Sequence, residues 1–396
     1  MERRIQGSNL YSQRIECFLA LSIPFSTFNA YSDLINLEIN YGNSYLFNSL
    51  YTFIRFCFLS FFLPLLTIET MQPGHVGQVE TGHQAMIHDA QLDYYSRRLA
   101  TCSSDRTIKI FNVVNKAGQQ QLEAELGGHD GPVWQVQWGH PRFGTMLASC
   151  GYDAKVIVHR EHQYGQWAPS YQFNHKGSVN AIAFAPHEYG LVLACASSDG
   201  AISVHTFGAD SNWTVQTIQD TGLGVNSVSW APVTALGGKD DNGKPVMRIV
   251  TGSCDNVAKI WKLEAGATEW TQENVFKMHT DWVRDVAWCP STAVPTNTVA
   301  SCGQDGMCII WTQEKVDGEW TPQLLKKFSS GVWRVSWSLT GNILGVATGD
   351  NKTSLWKETV DKKWVELSEE QAAEPSAPEP QQANPGANGA PAPGGQ

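Results

Sequence analysis

Six aspartates set 45 to 56 residues apart, Asp105, Asp153, Asp199, Asp255, Asp305 and Asp350, are each followed six positions on by Phe111, His159, His205, Trp261, Trp311 and Trp356. Between them run segments such as Thr107-Ile-Lys-Ile, Val257-Ala-Lys-Ile and Met307-Cys-Ile-Ile, alternating or continuously apolar as half-buried and buried strands are. Upstream stands Val-x-x-Val-x-Trp or a relative, at Val133–Trp138, Val179–Phe184, Val225–Trp230, Val283–Trp288 and Val332–Trp337, and weakly at Ile87–Leu92. A short apolar segment such as Leu147-Ala-Ser-Cys precedes each Asp, and five repeats add a tryptophan that opens one more strand: Trp167, Trp213, Trp270, Trp320 and Trp364. Four strands per repeat, a to d, with an Asp turn between b and c, predict one blade of a β-propeller.

Strand order matters more than strand count. The last repeat carries its own fourth strand from Trp364, and the stretch from Gln72 to Gln84 ahead of the first strand a is polar and Gly-rich. Little remains to close the circle. The expected fold is all-β: a six-bladed open propeller whose first and last blades each present an uncovered apolar face, which must find a partner or become an aggregation liability. In the competing reading, Val76-Gly-Gln-Val-Glu is a short closing strand.

Composition narrows the function classes. A net charge of −10 argues against a phosphate-binding surface, which needs clustered Lys and Arg, so no direct nucleic-acid partner is expected. Of fifteen tryptophans, twelve fall at strand ends in the repeat register and are assigned to blade packing. Nine cysteines include no CxxC pair, and Cys102, Cys150 and Cys302 recur at one register position in different blades. Small buried thiols fit better than disulfides or zinc, and neither a metal nor a cofactor is expected.

His129, Ser149 and Asp153 have the residue types of a hydrolase triad, and so do His279, Ser301 and Asp305. A catalytic site is needed once, whereas these residues recur in register. They are expected to form a structural hydrogen-bond network, to which Asp199, Asp255 and Asp350 belong by register, and catalysis is not expected. The chain contains no GxSxG, P-loop or HExxH.

The predicted organisation is a Phe-rich extension over 1–70, the propeller over 71–367, and a disordered Ala/Pro/Gly-rich tail over 368–396. The run from Tyr45 to Leu66 is long enough to cross a bilayer but is interrupted by Arg55 and Pro64. Three readings of the extension stay open: sequence outside the native protein, with Met71 the expected start; a membrane anchor; or a disordered segment.

At this point the residues resemble a known family. Met86-Ile-His-Asp-Ala-Gln-Leu-Asp-Tyr-Tyr, Gly127-Gly-His-Asp-Gly-Pro-Val-Trp-Gln-Val-Gln-Trp, Gly252-Ser-Cys-Asp-Asn and His279-Thr-Asp-Trp-Val-Arg-Asp-Val-Ala-Trp look like the small WD-repeat subunits of the coat protein complex II (COPII) outer coat, shared with the nuclear-pore Y complex. The resemblance implies a six-bladed open propeller that accepts a seventh blade in trans. The implied partners are a helical-solenoid subunit of the vesicle coat and a solenoid nucleoporin of the Y complex. An amino-acid-signalling complex on the vacuole or lysosome is a further implied partner. Implied locations are the cytoplasmic face of the endoplasmic reticulum, with peripheral membrane association through the coat and its vesicles, and the nuclear pore complex.

On that reading the donated blade lies between the first and sixth repeats. The expected docking residues are Met86, Leu92, Leu99, Ile108 and Ile110 on the first and Val335, Trp337, Leu344, Val346 and Leu355 on the sixth, with strand parity left open. The alternative function is a cytosolic adaptor that reads a peptide on the propeller rim. Position two of each strand a (His88, Trp134, Asn180, Asn226, Arg284, Trp333) should lie there, with Trp134, Trp282, Arg284 and Trp333 as possible contacts.

Overall fold

The computed structural model describes residues 65–69, 76–113, 121–290, 296–359 and 361–367. Six four-stranded antiparallel sheets follow one another, over 87–126, 133–174, 179–219, 225–276, 283–327 and 332–366, and in each the strands pair in the order a-b-c-d. Among the described residues the only helical elements are two 3₁₀ turns, Pro141–Phe143 and His187–Tyr189. Each is closed by a glycine at positive φ, Gly144 at 87° and Gly190 at 91°, a conformation that costs glycine little. These sheets are the predicted blades, so the chain is an all-β propeller.

One irregularity recurs in every blade. The pairing of strands a and b shifts by one residue after the first position of strand a, between Val133 and Gln135, Val283 and Asp285, and at the equivalent place in the other four. Such a bulge leaves one residue unpaired and re-aims its side chain. The bulged residues are His88, Trp134, Asn180, Asn226, Arg284 and Trp333, and all six line an axial cavity of about 1050 Å³.

Among the described residues, five apolar cores join the six blades. The first packs Ile108 and Ile110 of blade 1 on Val133, Val136 and Leu147 of blade 2, and equivalent cores follow between blades 2 and 3, 3 and 4, 4 and 5, and 5 and 6. Each fully buried Ile, Leu or Val contributes about 1.5–3 kcal/mol of transfer free energy. Polar ties reinforce the junctions. Trp138, Trp230 and Trp337, each ending strand a, donate Nε1–H to carbonyls of the preceding blade at Gln91, Ala183 and Ala287. A closed ring of six blades would have six such cores. The sixth cluster instead lies on the outer face of blade 1, where Val79 packs with Ala90, Leu99 and Phe111. The ring is open.

Val76–Glu80 is a strand, as the competing sequence reading had it, but it does not close the ring. It pairs with Leu65–Glu69 in a separate two-stranded sheet and not with blade 6. Its place in the chain is that of a strand d: Gln121–Leu126, Gln166–Asn174 and Thr271–Phe276 likewise run into His129, His175 and His279, as Val76–Glu80 runs into His83. Of the extension predicted over 1–70, only Leu65–Glu69 is among the described residues, as the strand paired with Val76–Glu80; its remaining residues and the tail over 368–396 lie outside them. No helix among the described residues is long and apolar enough to cross a membrane.

Candidate partner-docking slot

The open slot precedes blade 1 and follows blade 6, so the two walls present opposite strand parities. In every blade the residue of strand b paired with the end of strand a faces the preceding blade. Leu147, opposite Trp138, packs on blade 1. On blade 1 this rule turns Leu99, opposite Leu92, toward the slot, together with Ala90 and Phe111. Phe111 is paired with Leu99 on the same face. On blade 6 the same rule turns Leu344 and Val346 away from the slot, into the core with blade 5. The slot wall of blade 6 is therefore Ile343, Gly345 and Ala347 of strand b with Leu355 of strand c, paired to Gly345.

Measured against the docking expectation, Leu92, Leu99 and Leu355 have the slot parity, although Leu99 is already fully buried under Val79 of the same chain. Ile108 and Ile110 do not: both are fully buried between blades 1 and 2. Val335, Trp337, Leu344 and Val346 are likewise buried against blade 5, and Met86 lines the axial cavity. The sequence reading took equivalent register positions on both blades, whereas the two sides of a gap require opposite ones. Ala90, Phe111 and Ile343 were missed for the same reason, and strand alternation plus the order of blades could have found them.

The walls differ in polarity. On blade 1, Lys109 shares the slot parity of Phe111, and its Nζ donates to the carbonyls of Thr81 (3.1 Å) and Gly82 (2.8 Å). At the axis, Arg334 of blade 6 sits among Asp89 of blade 1 and Asp285 of blade 5. Burial works against its charge, but the two carboxylates outweigh burial and raise its pKa.

The recurrent His, Ser and Asp residues meet within blades. His129 Nδ1 lies 3.0 Å from Asp153 and its Nε2 lies 2.9 Å from Ser149 Oγ; His279 makes the same contacts at 3.0 Å to Asp305 and 2.9 Å to Ser301. Ser149 and Ser301 are fully buried, so neither hydroxyl can meet a substrate, and Trp311 Nε1 donates to the Ser301 oxygen. His83, Thr101 and Asp105 complete the set in blade 1, a member the sequence reading missed because strand a is poorly marked there.

Burial lowers the pKa of His83, with partial compensation by Asp105, and does the same to His279 against Asp305. These rings are thereby held neutral. Burial works to raise the Asp105 carboxyl, but hydrogen bonds from Thr107, Gln84 and His83 outweigh it and bring it down to about 2. In blade 4, Asp220 takes the histidine's place, accepting from Ser253 Oγ, while Lys259 bridges Asp220 and Asp255. In blade 3, Asp199 accepts from the Ala201 and Lys176 amides. Asp350 departs from the expected buried network: it is exposed and bonded to Thr348, Ser330 and Lys352, since blade 6 supplies no histidine before strand a.

This contrast makes a prediction. Asp305→Ala removes the acceptor for His279, the Thr280 amide and the Met307 amide and is expected to destabilise by about 1–3 kcal/mol. Asp350→Ala is expected to stay within about 0.5 kcal/mol, as surface substitutions do. Urea unfolding of the two variants measures both; equal midpoints would refute the network reading for blade 5.

At the cavity mouth, Arg284 lies over the rings of Trp333 (4.5 Å) and Trp282 (5.1 Å) while donating to Gln304. Trp134 donates Nε1–H to Ser178 and meets His88 edge-on. Of the four rim candidates, Trp282, Arg284 and Trp333 thus stack together, with Trp282 exposed, while Trp134 makes its contacts elsewhere along the cavity lining.

Five segments, 74–112, 120–160, 167–206, 213–262 and 270–312, match the family model "WD domain, G-beta repeat". Repeat, bulge and tetrad together define a WD-repeat propeller. The chain is similar to "Protein SEC13 homolog" of Drosophila melanogaster, 44% identical over 301 residues that cover 74% of this chain and 83% of the relative. It is also similar to "Protein transport protein sec13" of Emericella nidulans, 47% identical over 302 residues covering 73% and 96% of the two chains. The protein of the same name in Aspergillus clavatus is 48% identical over 297 residues, covering 72% and 99%. The chain belongs to the SEC13 family of WD-repeat proteins.

Proposed function

We propose that this chain is a non-catalytic scaffold subunit for protein transport, completed by a blade that a helical-solenoid partner donates into the slot between blades 1 and 6. The observation that supports this most is the count of five inter-blade cores for six blades. Val79 already covers the blade 1 wall, but Ile343 and Leu355 of blade 6 are only half-buried, and an apolar wall left without a neighbour is costly unless something covers it. The transport role is taken from relatives named protein transport proteins. The finer reading places the chain in the COPII outer coat at the cytoplasmic face of the endoplasmic reticulum. The same slot would serve a solenoid nucleoporin of the nuclear-pore Y complex, and an amino-acid-signalling complex on the vacuole or lysosome. On this reading Val76–Glu80 remains as the outer strand of the seventh blade, and the partner supplies the strands inside it.

The full chain is expected to co-purify with a solenoid partner in about 1:1 ratio and to melt several degrees higher in the complex, since binding to the native state alone shifts its melting upward. Recovery of monomer alone, with the same melting temperature whether or not the partner is added, would refute the proposal. One observation favours a second reading: the Trp282–Arg284–Trp333 stack is built from the residue types that anchor peptides. On that reading a Trp333→Ala variant loses its partners while slot variants keep them.

A further inference from the structure

Blade 3 breaks the tetrad pattern at two places at once. The serine or threonine of blades 1, 2, 4 and 5 (Thr101, Ser149, Thr251, Ser301) is replaced by Cys195, and the Phe or Trp that blades 1, 4, 5 and 6 carry six residues past the turn Asp is His205 here, as it is His159 in blade 2. With His175 kept before strand a, two imidazoles and a thiol now share one buried site between blades 2 and 3. Their ligating atoms all lie within 4.8 Å of one another. Cys195 and His205 are fully buried and the His175 side chain is 4% exposed.

The ring orientations are more telling than the proximity. Both Nε2 atoms point at one spot, marked by Ser203 Oγ at 2.8 Å from His175 and 2.6 Å from His205. The two Nδ1 atoms point away from it. That of His205 lies 2.8 Å from Tyr171 Oη, and that of His175 lies 3.9 Å from the Asp199 carboxylate. Histidines that bind metals are held with one ring nitrogen toward the ion and the other donated to an outer oxygen; His205 meets that pattern, while His175 Nδ1 stands at ion-pair rather than hydrogen-bond distance from its carboxylate. A tetrahedral zinc ion with bonds of about 2.0–2.3 Å needs ligand atoms about 3.3–3.7 Å apart, so the three atoms must close by roughly an ångström.

We propose that His175 Nε2, His205 Nε2 and Cys195 Sγ form a buried site for a divalent transition metal of zinc type, with Ser203 Oγ or a water as the fourth ligand. The mixed nitrogen and thiolate set suits zinc and disfavours magnesium or calcium. Binding is balanced by one proton: the Cys195 thiol releases it to solvent as the metal–sulfur bond forms, while both imidazoles bind neutral. The Asp199 carboxylate offsets the positive charge left on the complex. The ion would staple strands b and c of blade 3 to the loop before strand a, a structural role separate from the docking slot.

The test uses the full chain stripped of metal and titrated with Zn2+ or Co2+ alone. One equivalent should bind, with a thiolate-to-cobalt charge-transfer band and tetrahedral ligand-field absorption, and zinc should raise the melting temperature. Cys195→Ser and His205→Trp install the residues that other blades carry at these positions, so both variants are expected to fold. Cys195→Ser should abolish the charge-transfer band, and each variant should weaken binding beyond the 10- to 100-fold that loss of an outer partner costs. A failure of the wild-type chain to retain one equivalent would overturn the proposal. So would unchanged binding or an unchanged spectrum in folded Cys195→Ser.

Discussion

Ile110→Asp is expected to leave the protein unable to fold into its cooperative native state. Ile110 is fully buried between blades 1 and 2, among Ala100, Cys102, Ile108, Val133, Val136 and Leu147. The side chains packed around it are apolar, so a carboxylate placed there is either buried unpaired or protonated at a cost. Both outcomes add to the lost packing, and the sum exceeds about 4 kcal/mol, the range reserved for burying an unpaired charge. Total stabilities of about 5–15 kcal/mol leave little after such a loss. Ile110→Val, by contrast, should cost about 0.5–1.5 kcal/mol. Soluble yield and urea unfolding measure both. If Ile110→Asp unfolded cooperatively at the wild-type midpoint, the placement of Ile110 between the blades would be wrong.

Leu355→Asp has the opposite signature: a small change in stability and a large change in association. Leu355 is half-buried in strand c of blade 6, on the wall that no blade of this chain covers. In the isolated chain a carboxylate there remains partly hydrated. Under a donated blade it would be sealed against apolar surface, so the affinity for the solenoid partner should fall at least about 30-fold, the equivalent of the 2 kcal/mol that marks a hot spot. Ile182→Ala, in the core between blades 2 and 3, is the matched control. It should lower stability by about 2–5 kcal/mol and leave affinity unchanged. Calorimetric titration of each variant with the partner separates the two. The slot model fails if Leu355→Asp binds within threefold of wild type or if Ile182→Ala is the weaker binder.

These two variants mark where sequence reading stops. Alternation puts Ile108 and Ile110 on one face of their strand and Phe111 on the other, because successive side chains of a strand leave opposite sides. The sequence reading grouped Leu99 of the neighbouring strand with Ile108 and Ile110, and only the pairing of Leu99 with Phe111 separates them. Which face meets blade 2 and which meets the slot is a relation between sheets, absent from the period of any one strand. The buried tetrads show the same division. The recurrence of His, Ser and Asp was legible and enough to set catalysis aside. The depth of Ser149 and the exposure of Asp350 depend on what the neighbouring loop and blade bring against them.

Blade 3 carries the argument furthest. Cys195 departs from the Ser or Thr of four other blades and His205 from the Phe or Trp of four others, and both departures are visible along the chain, yet they stand ten residues apart and His175 twenty residues before Cys195. Only the antiparallel pairing of strands b and c, which sets Cys195 opposite Ser203, turns two separate exceptions into one site. The sequence by itself determined the number of blades, their strand order and the shortage of a closing strand, because those follow from local period and chain order. The tertiary structure decided which faces are covered, which parity lines the slot and which side chains converge, because each of these depends on how one sheet is stacked against the next.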